Sequence, residues 1–156
     1  MIVDVVREER YWYPDDGGQV WLAGFVPVDA DGRFLSREAL AARGLLIAGV
    51  AGAAVHHADA LPLLEPGSPL VLRRDAANAH DPNAVAVDVP DGGPQAGWVP
   101  RELAAQVAPD LDAGAVWSAV VLRERRDSPR DPVTGVTMLL APAPSVKLRE
   151  VRRTPW

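Results

Sequence analysis

No cysteine occurs among the 156 residues. Disulfide frameworks, Cys-ligated zinc and thiol catalysis are therefore excluded. Long hydrophobic runs are missing as well. The longest uncharged stretches, residues 44–58 and 132–146, fall short of the roughly 18 apolar residues of a membrane span, and the second holds three prolines. The opening MIVDVVREER mixes both charges, unlike a secretory leader, so a cytoplasmic location without membrane contact is expected. There is no basic field: the formal net charge is −5, and Lys147 is the one lysine among sixteen basic residues. Proteins that coat duplex DNA neutralise phosphates with such a field, so any nucleic-acid contact should be small and local. Gly-x-Ser-x-Gly, Gly-Lys-Ser/Thr and Gly-x-Gly-x-x-Gly are all absent, which removes nucleophile elbows, P-loops and dinucleotide folds. The three histidines, His56, His57 and His80, form no His-x-x-x-His pair and have no second carboxylate at a fixed spacing. Neither a metal nor a cofactor is expected.

What is present reads as a globular chain, with 48% apolar and 24% charged residues. Fifteen prolines and thirteen glycines favour short strands joined by turns over a helical bundle. Charge is spread unevenly. Residues 1–43 carry five bases against eight acids, residues 44–125 five against ten, and residues 126–156 six against three.

Strands are expected at residues 2–6 and 19–28, with three aromatics, Tyr11-Trp12-Tyr13, packing the N-terminal extension rather than serving as a base platform. Ser36 caps a short helix that stops at Gly44. Further strands are expected at residues 45–54, 70–74, 83–89, 95–99, 115–125 and 135–140, with a helical turn at 58–64. A helix starting at Pro100 carries Leu103, Val107 and Leu111 on one stripe, and Pro109 should break it near Ala108. From Pro142 a basic tail, residues 147–153, is expected to be solvated. The fold class is mainly β (α+β): a small OB-like or SH3-like antiparallel barrel with one or two short helices. Residues 1–43 form an N-terminal extension, 44–125 the barrel, and 126–156 a C-terminal hairpin strand and tail.

Three stretches carry a more specific pattern. A basic strand end, Arg73-Arg74, leads into Asn78-Ala79-His80-Asp81-Pro82-Asn83-Ala84-Val85, and Gly97-Trp98-Val99-Pro100-Arg101-Glu102 follows. Over residues 44–125 this order resembles the HIRAN domain, found in helicase-like transcription factor and in bacterial proteins. The resemblance implies an OB-like barrel that binds single-stranded DNA at a free 3′ end. It puts one base-holding aromatic at His80 and a second near Val55, and it makes Asp81 the acceptor for the 3′-hydroxyl. Asn78 and Asp81 match directly; Ala54 and Val55 stand where a basic residue and an aromatic are usual, with His56 or Trp98 available as the second platform.

The residues themselves leave alternatives open. Asp81-Pro82-Asn83 is a good turn without any ligand. His56, His57 and His80 fit exposed loops, and Trp98 fits a core or rim position. Arg73 and Arg74 could take phosphates, though adjacent strand residues point to opposite faces. The leading expectation is a non-catalytic module for single-stranded DNA in repair or processing, working with a helicase or nuclease partner. A protein-interaction barrel without DNA binding is second, and a metal-dependent nuclease or phosphoesterase third.

Overall fold

The computed structural model describes residues 1–152, except the side chains of Ala54 and Val55. These residues form nine strands: β1 Ile2–Trp12, β2 Val20–Pro27, β3 Leu46–Gly49, β4 Pro69–Arg74, β5 Val85–Asp88, β6 Gln95–Trp98, β7 Ser118–Arg126, β8 Val133–Ala141 and β9 Lys147–Glu150. Three helices, α1 Arg37–Ala42, α2 Ala53–His56 and α3 Arg101–Asp112, and a 3₁₀ turn at Leu61–Leu63 lie between them. Ser36 caps α1 by accepting from the Ala39 N–H at 3.1 Å.

β7 organises the sheet. One of its edges is shared: residues 118–120 pair with β4 and residues 123–126 with β2. Its other edge pairs with β8, which in turn pairs with β3. The fold is mainly β, as expected, but the sheet is mixed and does not close into the expected antiparallel barrel. The ring β6–β5–β4–β7–β8–β3 stays open between β3 and β6, because β3 ends at Gly49. Beyond β3, Ala51 and Trp98 make one isolated bridge, exchanging N–H···O bonds of 2.8 and 2.9 Å.

Because β7 is covered on both faces, its residues alternate between two cores. Ala119 and Val121 join Val85, Val87, Met138, Leu140 and the α3 residues Ala104 and Ala108. Val120 and Leu122 join Val5, Phe25, Leu40 and Leu139. Each fully buried Val or Leu contributes roughly 1.5–3 kcal/mol relative to exposure. The aromatic cluster does not pack into a core: Tyr11 meets Trp21 edge-on at 5.0 Å, but Tyr11, Trp12 and Tyr13 all stay exposed.

Three local expectations are corrected. The strand expected at 45–54 stops at Gly49, because Gly52 adopts φ +76° and starts α2. Helix α3 runs through Pro109 to Asp112. Pro109 and Ala105, whose carbonyl loses its helical donor, both face solvent, so water can satisfy that carbonyl. The basic tail is not loose at its start: β9 lies parallel to β1, with Ile2 opposite Lys147. Arg153 lies outside the described residues.

Candidate nucleic-acid interface

The loop between β4 and β5 is tied by its own polar side chains. Asn78 Oδ1 accepts from the His80 and Asp81 N–H groups at 2.9 and 3.0 Å, and Asp81 Oδ1 accepts from the Asn83 N–H at 2.9 Å. These are successive Asx turns, which short side-chain acceptors make and hydrophobic residues cannot. The Ala84 N–H closes back on the Asp81 carbonyl at 3.1 Å. Arg74 buttresses the loop from behind. Its guanidinium donates to the carbonyls of Pro82 (2.7 Å) and Ala84 (3.1 Å) and pairs with Asp112 of α3 at 3.0 Å.

In front of the loop is a cavity of ≈ 340 Å³. Asn78, His80, Asp81, Trp98 and Arg101 supply its polar and aromatic lining, and Ala51, Ala84, Val99 and Pro100 its apolar wall. Gly97 permits the wall, since a Cβ there would meet Val50 Cγ1 at 2.7 Å. A larger hollow, ≈ 570 Å³, lies beside Arg7, Phe34 and Glu150, away from these groups.

The cavity brings one acid and one base together in a long ion pair. Asp81 is 18% exposed, and its Oδ2 lies 3.9 Å from Arg101 Nε, whose side chain is 74% exposed. Arg101 also donates to the His80 carbonyl at 3.3 Å. Asp81 Oδ2 therefore keeps acceptor capacity at a site with an apolar floor. The Trp98 indole, half-buried, offers a flat face. His56, exposed at the end of α2, stands by the rim: a Cβ on Gly52 would lie 3.4 Å from His56 Cδ2 and 3.9 Å from Trp98 Cδ1. Both rings thus flank the same glycine.

Of the residues singled out in the sequence, Asn78, His80, Asp81 and Trp98 line the cavity, and His56 adjoins it. Val55 has its side chain outside the described residues. Arg74 is the buttress just described. Arg73 donates to Asp88 at 2.8 and 3.3 Å and to Gln95 at 3.4 Å, and the bond to Asp88 raises its pKa above the ordinary value. Neither arginine lines the cavity. Arg101 does, and the sequence reading did not place it there. Its signal was positional: it follows Pro100, which caps α3, so the first helical side chain sits beside the loop. Among the described residues no group of three or more His, Asp or Glu side chains could hold a metal ion. None of the described helices is long and apolar enough to cross a membrane.

No curated protein and no solved structure matches the chain. The family model of the HIRAN domain matches residues 47–135, more than half of the chain, and takes in β3 through the start of β8 with the whole cavity. The loop, the cavity it frames and this match lead to one conclusion: the chain belongs to the HIRAN domain family of nucleic-acid-binding modules.

Proposed function

We propose that this protein binds single-stranded DNA at a free 3′ end, with the terminal nucleoside in the cavity in front of the β4–β5 loop. It acts as a non-catalytic module of DNA repair or processing in the cytoplasm and presents the strand to a helicase or nuclease partner. The observation that carries this reading is the half-engaged Asp81 carboxylate: one oxygen holds the Asn83 N–H, and the other is left beside a cavity walled by His80 and Trp98. A hydroxyl is a donor that such an oxygen accepts, whereas a terminal phosphate is repelled by it. The rings of His80 and Trp98 supply stacking faces, worth about 1–3 kcal/mol per base on an aromatic platform. Arg101 stands ready for a phosphate one step back.

The test is a titration of short labelled strands ending in a 3′-hydroxyl or a 3′-phosphate. Wild type should prefer the hydroxyl. Asp81→Asn keeps an acceptor for the Asn83 N–H but removes the charge, so the preference should shrink by roughly 1–3 kcal/mol. Equal binding of both strands by wild type sinks the end-recognition reading. Binding of neither leaves the protein-interaction alternative, and loss of strand that a chelator abolishes leaves the nuclease.

A further inference from the structure

The face formed by β1, β2 and β7 carries charge that neither the cavity nor the two cores use. Register places Glu8 opposite Gly24 and Gly24 opposite Arg123, one row across three strands. In the next row Arg10 stands opposite Leu22, and Leu22 opposite Arg125. Gly24 contributes no side chain, and a Cβ there would come within 2.6 Å of Arg123 Cα. The middle strand therefore leaves a shallow hollow lined by Glu8, Arg10, Leu22 and Arg123.

Helix α1 adds a third cation. Arg37 donates to the Ile47 carbonyl at 3.2 Å, and Ile47 lies two residues before Gly49, which shares a row with Thr137 and Arg123. Two of these guanidinium groups, Arg10 and Arg123, share one carboxylate in the hollow, and Glu8 is already ion-paired with Arg10. Arg123 is half-buried and donates to the Phe25 carbonyl at 3.4 Å. Burial first, then the charge of Arg10, lowers its pKa from the ordinary value; Glu8 opposes this and Arg37 adds to it. A desolvated guanidinium beside like charges is stabilised by an added anion, and its planar fork suits phosphate oxygens. The row of Arg123 continues through Thr137 to Gly49, two residues before Ala51 in the cavity wall. Two strand spacings and two residues span roughly 10 Å and 7 Å. A strand of a few nucleotides covers that distance.

We propose that Arg10, Arg37 and Arg123 form a second site, which takes backbone phosphates of the DNA strand whose 3′ end occupies the cavity. This rests on the function proposed above and extends it. The site reads charge and no base, and it gives a net acidic protein a local hold on a longer strand.

Length and end chemistry separate the two sites. Dithymidylate, too short to reach the arginines, and an oligothymidylate of about 12 nucleotides, each with a 3′-hydroxyl or a 3′-phosphate, are titrated from about 50 to about 200 mM salt. The cavity predicts an end effect at both lengths, and the arginines predict a length effect with both ends. With about two phosphates held, each adding about 0.7 to the salt slope, the longer strand should lose about sevenfold more affinity than the shorter over that range. Arg123→Gln should abolish the length gain and the extra slope while the hydroxyl preference stays. Arg37→Gln, on the exposed surface of α1, should reduce the gain independently, should Arg123→Gln unfold the protein. A wild type without a length effect overturns the second site. An unchanged length gain in folded Arg123→Gln or Arg37→Gln overturns it too. A length effect without an end effect overturns the cavity reading instead and upholds the arginines.

Discussion

The β4–β5 loop and the β1–β2–β7 face concentrate polar groups in comparable numbers and use them in opposite ways. In the loop nearly every group is committed. Asn78 holds two N–H groups, Asp81 a third, and Arg74 three partners from behind. What remains is one carboxylate oxygen, 3.9 Å from Arg101, in a cavity that His80 and Trp98 also line, a geometry fixed well enough to test a single chemical group. On the β1–β2–β7 face the cations outnumber the acid: Arg10 is paired with Glu8, whereas Arg37 and Arg123 each hold a long bond to a carbonyl. Such a face cannot choose between bases, but it holds any phosphate. Specificity and grip are thus divided between a rigid loop and an undercompensated strand face.

The strongest way to break the comparison is to collapse one side of it. Gly97 lets β6 lie against the chain at Ala51, and a Cβ there would stand 2.7 Å from Val50 Cγ1 and 3.4 Å from the Ala51 carbonyl carbon. Gly97→Ala should part the Ala51–Trp98 bridge and cost about 3 kcal/mol, the upper range for overpacking a tight site. A shift of the urea midpoint with unchanged slope would measure it. Gly135→Ala, where nothing lies within 4 Å, is the control and should move the midpoint little. Equal effects would mean that the cavity wall is not as close-packed as these distances require.

Arg74→Ala sharpens the comparison at the next level of effect. Removing it leaves the Pro82 and Ala84 carbonyls and Asp112 without their donor, at a cost of roughly 1.5–3 kcal/mol. Both kinds of strand end should bind less well, because the loop loosens, yet the salt slope should hold. Arg123→Gln should do the reverse and lower the slope while the end preference persists. A fall of the slope in Arg74→Ala, seen in the same salt titration, would show that this arginine reaches phosphate and is not a buttress.

Legibility in the sequence follows the range of the interactions. The Asn78-to-Asn83 loop was readable because each of its bonds spans only two or three residues, and the residue types announce them. Ser36 and Gly44 bracketed α1 for the same reason. The open, forked sheet was not readable. Whether β7 shares its edge between β4 and β2 depends on partners some 50 and 100 residues away. Strand β9 was hidden similarly, since Lys147–Glu150 has no alternating pattern and is ordered by parallel pairing with Ile2–Val5. The direction of Arg101 was invisible because a helix start fixes a position but names no neighbour. Arg10 and Arg123 were scattered charges until register brought their strands together.

The smallest effect tests whether charge outside both regions stays out of the comparison. Arg149 on β9 donates to Asp4 on β1 at 2.7 Å, with the arginine 62% exposed. That bond, opposed by desolvation and aided by the charge of Arg149, holds the Asp4 carboxyl below its ordinary value. A carboxyl whose folded pKa is depressed contributes stability above its unfolded pKa and loses it as pH falls through the lower folded value. Arg149→Gln should therefore be slightly less stable than wild type at neutral pH, and the gap should close in acid below the usual Asp range. Added salt should narrow it as well, because an exposed pair is screened. Thermal unfolding across that range, at low and high salt, reads both effects. Since Arg149 is committed to Asp4, the same variant should keep the full length gain on DNA. Loss of that gain would extend the phosphate-holding surface from β7 to the edge of the sheet and redraw the division between grip and specificity.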